Sequence, residues 1–326
     1  MRSKDRNRST GFGAWIAVVI FSVGLFGARA NSQTVDVVDL SPKFLAFYHS
    51  AVARHLDPDA RWALWKRTYD FAAVPPTPFG DSLARRLLDS AWSRYPDSLS
   101  RIRRGVAALG VSPTVELQRV IALLGCGAGT KARIVAFVGG FENNAFAYSS
   151  KDGRPTVALP IEAGDAKRSV DHEFTHAVHR SSGCANIVRG YDQSLAELVV
   201  SEGLAMRVVQ ALVPGQPDIY YVNGRQEWFD SAQAHQTAIL RGVREHLTEA
   251  GVPVVQRFTF GNGTTGLGRE GYYAGWVIVG ALLQHGISFH EIATTHPDKI
   301  PALLLRGMDF LVSARSEPHR AAIIAE

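Results

Sequence analysis

Residues 171–179 (DHEFTHAVH) constrain the fold of this chain most strongly, because they contain His172-Glu173-x-x-His176. On an α-helix, residues four positions apart lie about 40° apart around the axis and about 6 Å apart along it. Both imidazoles can therefore reach one metal ion. Glu173 is turned about 100° from His172, where its carboxylate can take a proton from a metal-bound water. The segment predicts a helix that carries two metal ligands and a general base.

A catalytic zinc site needs a third protein ligand besides two histidines, together with an open position for water. Metzincins carry a third histidine six residues after the second, and here that position is Ser182. The other source is a glutamate from the next predicted helix, residues 194–212, which offers Glu197 and Glu202. These two glutamates are five residues apart and face different sides of that helix, so we expect only one of them to reach the metal.

This pattern resembles the gluzincin zinc metallopeptidases. In their aminopeptidase branch the third ligand is the glutamate of an Asn-Glu-Gly-Phe-Ala motif, and this chain has Ser201-Glu202-Gly203-Leu204-Ala205. It is also similar, over about residues 130–312, to bacterial proteins described as predicted zinc-dependent proteases. Those proteins share the Glu-Gly-Leu-Ala signature and a later Tyr-x-x-Gly helix start.

The resemblance implies a site with one zinc ion per chain, in which Glu173 is the general base for amide hydrolysis. The implied metal ligands are His172, His176 and Glu202. Glu202 lies 26 positions after His176, somewhat farther than in the best-known gluzincins. Glu197, at 21 positions, therefore stays an alternative. Gly203 favours Glu202, because a small residue beside it lets the two helices approach.

Other residues are candidates for supporting roles. Gluzincins often place a tyrosine on a later helix, so the resemblance implies that Tyr272 or Tyr273 donates to the oxyanion of the reaction. For either one, the alternative is core packing with a satisfied hydroxyl. Asp171 and Asn186 are candidates for orienting the histidines. His179 lies on the ligand face, but we expect it to interact with the helix dipole near the C-terminus rather than to bind metal.

The predicted fold is α+β and mostly helical, and the resemblance implies a thermolysin-like catalytic core. Apolar residues recur at helical spacing over residues 41–125, whereas short apolar segments ahead of the His-Glu-x-x-His helix predict a small β-sheet. The predicted strands are residues 132–138, 145–148 and 156–160, and the later predicted helices are 167–181, 194–212, 225–250 and several short ones over 288–325. The predicted divisions are a signal peptide at 1–30, a helical N-terminal subdomain at 31–129 and a zinc metallopeptidase-like domain at 130–326.

The first 30 residues predict export. A basic start precedes an uncharged apolar stretch over residues 11–27, and Ala28-Arg29-Ala30 matches the small-x-small pattern that a signal peptidase recognises. An uncleaved membrane anchor is the alternative. This segment carries a net charge of +4 of the chain's +5, so the remainder does not favour nucleic acid binding. We expect a bacterial periplasmic or secreted protein without stable membrane insertion after cleavage.

In an oxidising compartment, Cys126 and Cys184 are either one disulfide or two buried thiols. The leading functional hypothesis is an exported zinc metallopeptidase acting on a peptide or protein substrate. The alternatives are a non-catalytic zinc-binding or interaction module and a zinc amidohydrolase that cleaves a non-peptide amide. The Gly-rich residues 261–268 also match a GxGxxG nucleotide loop, but no βαβ unit surrounds them.

Overall fold

A computed structural model describes residues 35–324, except 76, 163, 165, 182, 186 and 188–191, and except the side chains beyond residue 313. The predictions made for residues 1–30, Ser182 and Asn186 lie outside the described residues. The described residues belong to one compact unit. This part of the chain is α+β and mostly helical, as predicted.

In the N-terminal region, the described residues form one strand and five α-helices, with two short 3-10 helices between them. Several helices begin at a proline. Proline suits the first turn because a backbone N–H there has no acceptor within the helix, so its absence costs no hydrogen bond. Asp57 and Thr77 cap the second and third helices by accepting from backbone N–H groups. The elements are β1 (Asp36–Asp39), α1 (Ser41–Ala53), α2 (Pro58–Thr68), α3 (Pro78–Ala91), α4 (Tyr95–Arg103) and α5 (Pro113–Leu124).

Two tyrosines tie this region to the loop that follows the next strand, β2 (Arg133–Phe137). The hydroxyl of Tyr69 donates to the carbonyl of Val138 at 3.0 Å and accepts from its N–H at 2.7 Å. The hydroxyl of Tyr95 donates to the carbonyl of Gly139 at 2.8 Å. Both side chains are buried, so the N-terminal helices are fixed against the start of this loop.

The sheet has four strands in the order β1-β2-β4-β3, where β3 is Phe146–Ser149 and β4 is Pro155–Pro160. β1, β2 and β4 are parallel, and β3 pairs antiparallel to β4 at the edge. The three predicted strands are confirmed within one or two residues. The sequence reasoning missed β1, because four residues with two aspartates carry no strong strand pattern.

The next two helices are α6 (Ala166–His179) and α7 (Leu195–Leu212), both close to their predicted bounds. Among the described residues, α6 contacts β4, α5 and α7, so it lies between the sheet and the helical part of the core. A disulfide joins Cys126, after α5, to Cys184, in the segment after α6. The disulfide alternative is therefore the correct one.

The C-terminal part is helical but differs from the sequence prediction at two places. The helix predicted for residues 225–250 is broken, because the backbone of His235 leaves the helical conformation. Several short helices were predicted after residue 288, but most of this segment is one long helix, and Pro301 lies in its first turn. The elements are α8 (Asp218–Val222), α9 (Gln226–Ala234), α10 (Gln236–His246), α11 (Val252–Thr259), α12 (Glu270–Gln284), α13 (Phe289–Thr294) and α14 (Ile300–Ile324). No helix within the described part of the chain has the length and apolarity needed to cross a bilayer.

Candidate metal centre

Three side-chain atoms from α6 and α7 converge on one point. The Nε2 atoms of His172 and His176 lie 3.1 Å apart. The Oε2 atom of Glu202 lies 3.2 Å from Nε2 of His172 and 3.6 Å from Nε2 of His176. The spacing of the histidines on α6 and the packing of α7 against α6 together produce this triangle.

The dimensions of the triangle fit a zinc ion. Tetrahedral zinc with bonds of about 2.0–2.1 Å separates its ligand atoms by about 3.3 Å. The three observed separations, 3.1, 3.2 and 3.6 Å, lie on either side of that value. Oε2 of Glu202 is buried and has no hydrogen-bond partner among the described residues. A cation bound by the two histidines would satisfy this oxygen.

The charges of the cluster also suit a cation. Burial raises the pKa of Glu202, but the charge of His176, with that of His172, holds it well below its usual value. Burial lowers the pKa of His172, but Glu202 outweighs this effect and the net pKa is raised. For His176, burial prevails and the pKa is lowered. The glutamate is thus an anion, as a metal ligand must be.

Glu197, the alternative ligand, is used elsewhere. Its carboxylate accepts from the N–H of Ser194 at 2.8 Å and from the Ser194 hydroxyl at 2.9 Å. The Ser194 hydroxyl in turn accepts from the N–H of Glu197, which completes a capping box at the start of α7. Glu197 therefore stabilises the N-terminus of α7, one and a half turns before Glu202.

The role predicted for Gly203 is wrong in one respect. A Cβ at this position would overlap the carbonyl of Gly275 in α12, and a Cβ at Gly275 would overlap the carbonyl of Val199. The two glycines thus allow α7 and α12 to cross closely, rather than α7 and α6. The crossing packs α7, the helix that carries Glu202, closely against α12.

Ser201 is a site residue that the sequence reasoning missed. Its hydroxyl oxygen lies 2.9 Å from Nδ1 of His176, and both side chains are buried. If Nδ1 carries the proton and donates to Ser201, Nε2 is left with its lone pair directed at the point where the three atoms converge. The available signal was the position of Ser201 directly before Glu202.

Asp171 does not orient a histidine, contrary to the prediction. Lys167 donates to its carboxylate at 3.0 Å and to Glu116 of α5 at 2.7 Å. Burial raises the pKa of Asp171 to about 7, and Lys167 opposes this shift. The reason is its position: one residue before His172, Asp171 faces α5 instead of the histidines.

His179 is buried, and neither of its ring nitrogens has a hydrogen-bond partner among the described residues. Burial, with a smaller contribution from the charge of His176, lowers the pKa of His179 to about 3. The side chain is therefore neutral at physiological pH. The predicted interaction of a His179 cation with the helix dipole is wrong, because burial costs the charged form more than the dipole can return.

Glu173 is close to both histidines and also reaches a cavity. One ligand atom from each of His172, Glu173 and His176 lies within 4.8 Å of the others. Glu173 and His172 line a cavity of about 600 Å³. The other residues that line it are Ala73, Leu83, Leu87, Glu142, Asn143, Asn144, Ala145, Arg168, Ser169, Met206, Tyr221, Val222, Asn223, Phe260, Arg269 and Tyr272.

The two candidate tyrosines occupy different environments. Tyr272 lines the same cavity as Glu173, and the guanidinium of Arg269 lies 4.5 Å from the centre of the Tyr272 ring. Tyr273 is 1% exposed, and its hydroxyl donates to Oε1 of Gln236 at 2.9 Å. The structure therefore brings Tyr272 to the cavity and packs Tyr273 in the core.

The backbone N–H groups of the Gly-rich loop between α11 and α12 are hydrogen-bonded within the protein. The carboxylate of Glu270 accepts from the N–H groups of Thr264 and Thr265 at 2.7 and 2.8 Å, and from the Thr265 hydroxyl. A nucleotide phosphate would need such N–H groups. Since Glu270 already uses these two, the geometry disfavours a nucleotide loop.

Residues 146–301 match the model of a family described as "Predicted Zn-dependent protease (DUF2268)". The matched region begins at β3, contains β4 and α6 to α13, and ends at the start of α14, and so includes every residue of the converging cluster. It excludes α1–α5. No curated protein and no solved structure matches the chain.

Proposed function

We propose that this chain is an exported zinc-dependent metallopeptidase of the gluzincin type, with a thermolysin-like pairing of the His-Glu-x-x-His helix and a glutamate-bearing helix. His172, His176 and Glu202 hold one zinc ion per chain. The convergence of their three ligand atoms at zinc-like separations carries the proposal. The match to a family described as a predicted zinc-dependent protease supports it independently.

Three side chains besides the metal ligands have roles in the proposed hydrolysis. Zinc bound at this site supplies a Lewis acid and a water of lowered pKa. Glu173, beside His172 on the cavity wall, takes the proton of the attacking water and passes it to the leaving amine. Tyr272 donates a hydrogen bond to the scissile carbonyl oxygen as its negative charge grows. Ser201 holds His176 in the required tautomer.

The sheet edge provides a place for an extended peptide. β3 is an outer strand, and residues 143–145, which lead into it, line the same cavity as Glu173. An extended substrate can add to such an edge through backbone hydrogen bonds. This mode binds peptides of many sequences, and it favours a peptide over a non-peptide amide.

Residues 1–30 direct the protein to the bacterial periplasm or medium under this proposal. The disulfide between Cys126 and Cys184 supports it, because such bonds persist in oxidising compartments. Cell fractionation of the producing bacterium tests the location. Recovery of the chain in the cytosol with residues 1–30 intact would contradict export.

The test of the activity combines metal analysis with peptide digestion. We expect about one zinc per purified chain, lost in His176→Ala, and cleavage of a peptide library by the wild type. Glu173→Gln should retain zinc and lose at least about 100-fold in kcat. Zinc retention without any cleavage by the wild type would favour the non-catalytic zinc-binding module instead.

The third ligand has a matched pair of variants. Glu202→Ala should lower zinc affinity by more than the about 10–100-fold typical of losing an outer partner. Glu197→Ala should leave zinc affinity within a fewfold of wild type and lower the unfolding free energy through loss of the capping box. The reverse pattern would assign the ligand role to Glu197.

A further inference from the structure

The most exposed large apolar side chain in the described part of the chain lies at the candidate active site. Phe260, at the C-terminal end of α11, is 78% exposed and lines the cavity that holds His172 and Glu173. It does not pack on the hydrophobic core of the described residues. Folding of the chain therefore leaves this ring without an apolar environment.

A second apolar surface at the same cavity comes from α3. Leu83 and Leu87 line the cavity and stand four residues apart, on one face of the helix. Phe79, one turn earlier on that face, is 67% exposed. α3 is amphipathic, and its buried residues, such as Ala84 and Leu88, lie on a neighbouring face that packs on the core. Leu83 and Leu87 thus form a second apolar face of α3, separate from the face that packs on the core.

The position of α3 at the cavity is well fixed. A Cβ at Gly140 would meet Cβ and the carbonyl oxygen of Leu87 at 2.9 and 3.2 Å, so the loop after β2 lies directly against this helix. The hydrogen bonds of Tyr69 and Tyr95 hold the beginning of the same loop. A rigid support of this kind lets apolar side chains discriminate between ligands, because little ordering is needed on binding.

We propose that Leu83, Leu87 and Phe260 form a specificity site for a bulky apolar side chain of the peptide substrate. The inference rests on the proposed peptidase function and adds its substrate class. The occupant is part of the substrate because these three side chains line the same cavity as His172 and Glu173. Phe260 lies within the region of the family match, whereas Leu83 and Leu87 of α3 lie outside it, so the N-terminal helices supply part of this site.

The test uses quenched fluorescent peptides that differ at one position near the cleaved bond, which carries phenylalanine, leucine, glycine or glutamate. The wild type should prefer phenylalanine or leucine over glycine by at least about tenfold in kcat/KM, as expected for a pocket that accepts several methylene groups. Leu83→Ala and Phe260→Ala should each lower this ratio by about fivefold or more, because the phenylalanine peptide should lose more kcat/KM than the glycine peptide.

Val252→Ala is the matched control, because Val252 is an exposed apolar residue of α11 that does not line the cavity. It should leave the ratio unchanged. The glycine peptide also controls for folding, since a damaged variant would lose activity on both peptides. A wild-type ratio near one, or a ratio unaffected by both cavity variants, would overturn the inference while leaving the peptidase function intact.

A binding measurement separates this inference from the proposed function. The anisotropy of the labelled phenylalanine and glycine peptides is measured with Glu173→Gln, and again with Phe260→Ala added. Selective binding of the phenylalanine peptide that is lost with Phe260→Ala supports the specificity site, even if the wild type cleaves nothing. Equal binding of both peptides overturns it.

Discussion

At the scale of single residues, the pair of Ser201 and His176 is the clearest case of one side chain working through another. The hydroxyl of Ser201 lies 2.9 Å from Nδ1 of His176, inside the protein. Ser201→Ala removes the group that fixes the ring and its tautomer, so we expect zinc affinity to fall by about 10–100-fold. Competition with a chromophoric chelator measures this change.

Ser194→Ala is the control for Ser201→Ala, because Ser194 is on the same helix but caps its N-terminus. It should cost about 1 kcal/mol of stability and leave zinc affinity unchanged. Ser201→Thr, which keeps the hydroxyl, should retain most of the affinity. Unchanged zinc binding in Ser201→Ala would show that packing alone orients His176.

The contribution of His179 to the unfolding free energy depends on pH. Its pKa is about 3 in the folded protein against an ordinary value of 6.5, so between these values the unfolded chain binds a proton that the folded chain does not. The histidine therefore stabilises the fold less and less as the pH falls from 6.5 to 3. The unfolding free energy of His179→Leu minus that of the wild type should therefore be about 2 kcal/mol larger at pH 5 than at pH 8.

Urea unfolding at the two pH values measures the effect of His179→Leu. Val252→Ala is the control, because Val252 has an exposed side chain without a titratable group. It should change stability equally at both pH values. A His179→Leu effect that does not depend on pH would mean that the ring is hydrated, or protonated, in the folded protein.

At the scale of elements, the crossing of α7 and α12 depends on two glycines. A Cβ at Gly203 would overlap the backbone of Gly275, and neither helix backbone can give way cheaply. We expect Gly203→Ala to lower the unfolding free energy by about 1–3 kcal/mol and to weaken zinc binding, because Glu202 is the adjacent residue. Thermal unfolding with and without added zinc measures both effects.

Gly164→Ala is the control for this crossing, since a Cβ at Gly164 would meet no atom of the described, non-adjacent residues within 4 Å. It should be close to neutral in both measurements. If Gly203→Ala were equally neutral, the two helices would have to be able to move apart without loss. That result would separate the position of Glu202 from the contact with α12.

The sequence predicted those elements whose local pattern is strong. The histidines of α6 and the period of α7 depend only on helix geometry, so both helices and the two candidate histidine ligands could be named in advance. The choice of Glu202 over Glu197 came from the resemblance to gluzincins. Ser201 could not be named in advance, because its hydroxyl gains a role only once α7 lies against α6. The same limit applies to Gly203: a small residue signals close packing, but its spacing does not identify the partner helix.

At the scale of the whole molecule, the N-terminal region and the matched region share one cavity. Leu83 and Leu87 of α3 line it together with His172, although only His172 lies within residues 146–301. The sequence suggested no chemistry for residues 41–125. Half-buried leucines on a helix look like ordinary packing residues until the fold brings them to the candidate active site.

The disulfide contributes to the stability of the whole molecule. Cys126 and Cys184 are 58 residues apart in sequence, and the loop that they close contains β2, β3, β4 and α6. Closing a loop of this length restricts the unfolded chain by about 4 kcal/mol in the entropic model, and measured values are typically about 2–4 kcal/mol. The double variant Cys126→Ala/Cys184→Ala should lose about that much unfolding free energy, as measured in urea.

Dithiothreitol should destabilise the wild type to a similar extent and leave the double variant unaffected, which separates loss of the bond from loss of packing at the two sites. Because neither cysteine belongs to the converging cluster, the folded double variant should still bind zinc with near wild-type affinity. Loss of zinc binding under conditions where the variant is folded would mean that the bond positions the C-terminal end of α6, and not only that it restricts the unfolded chain.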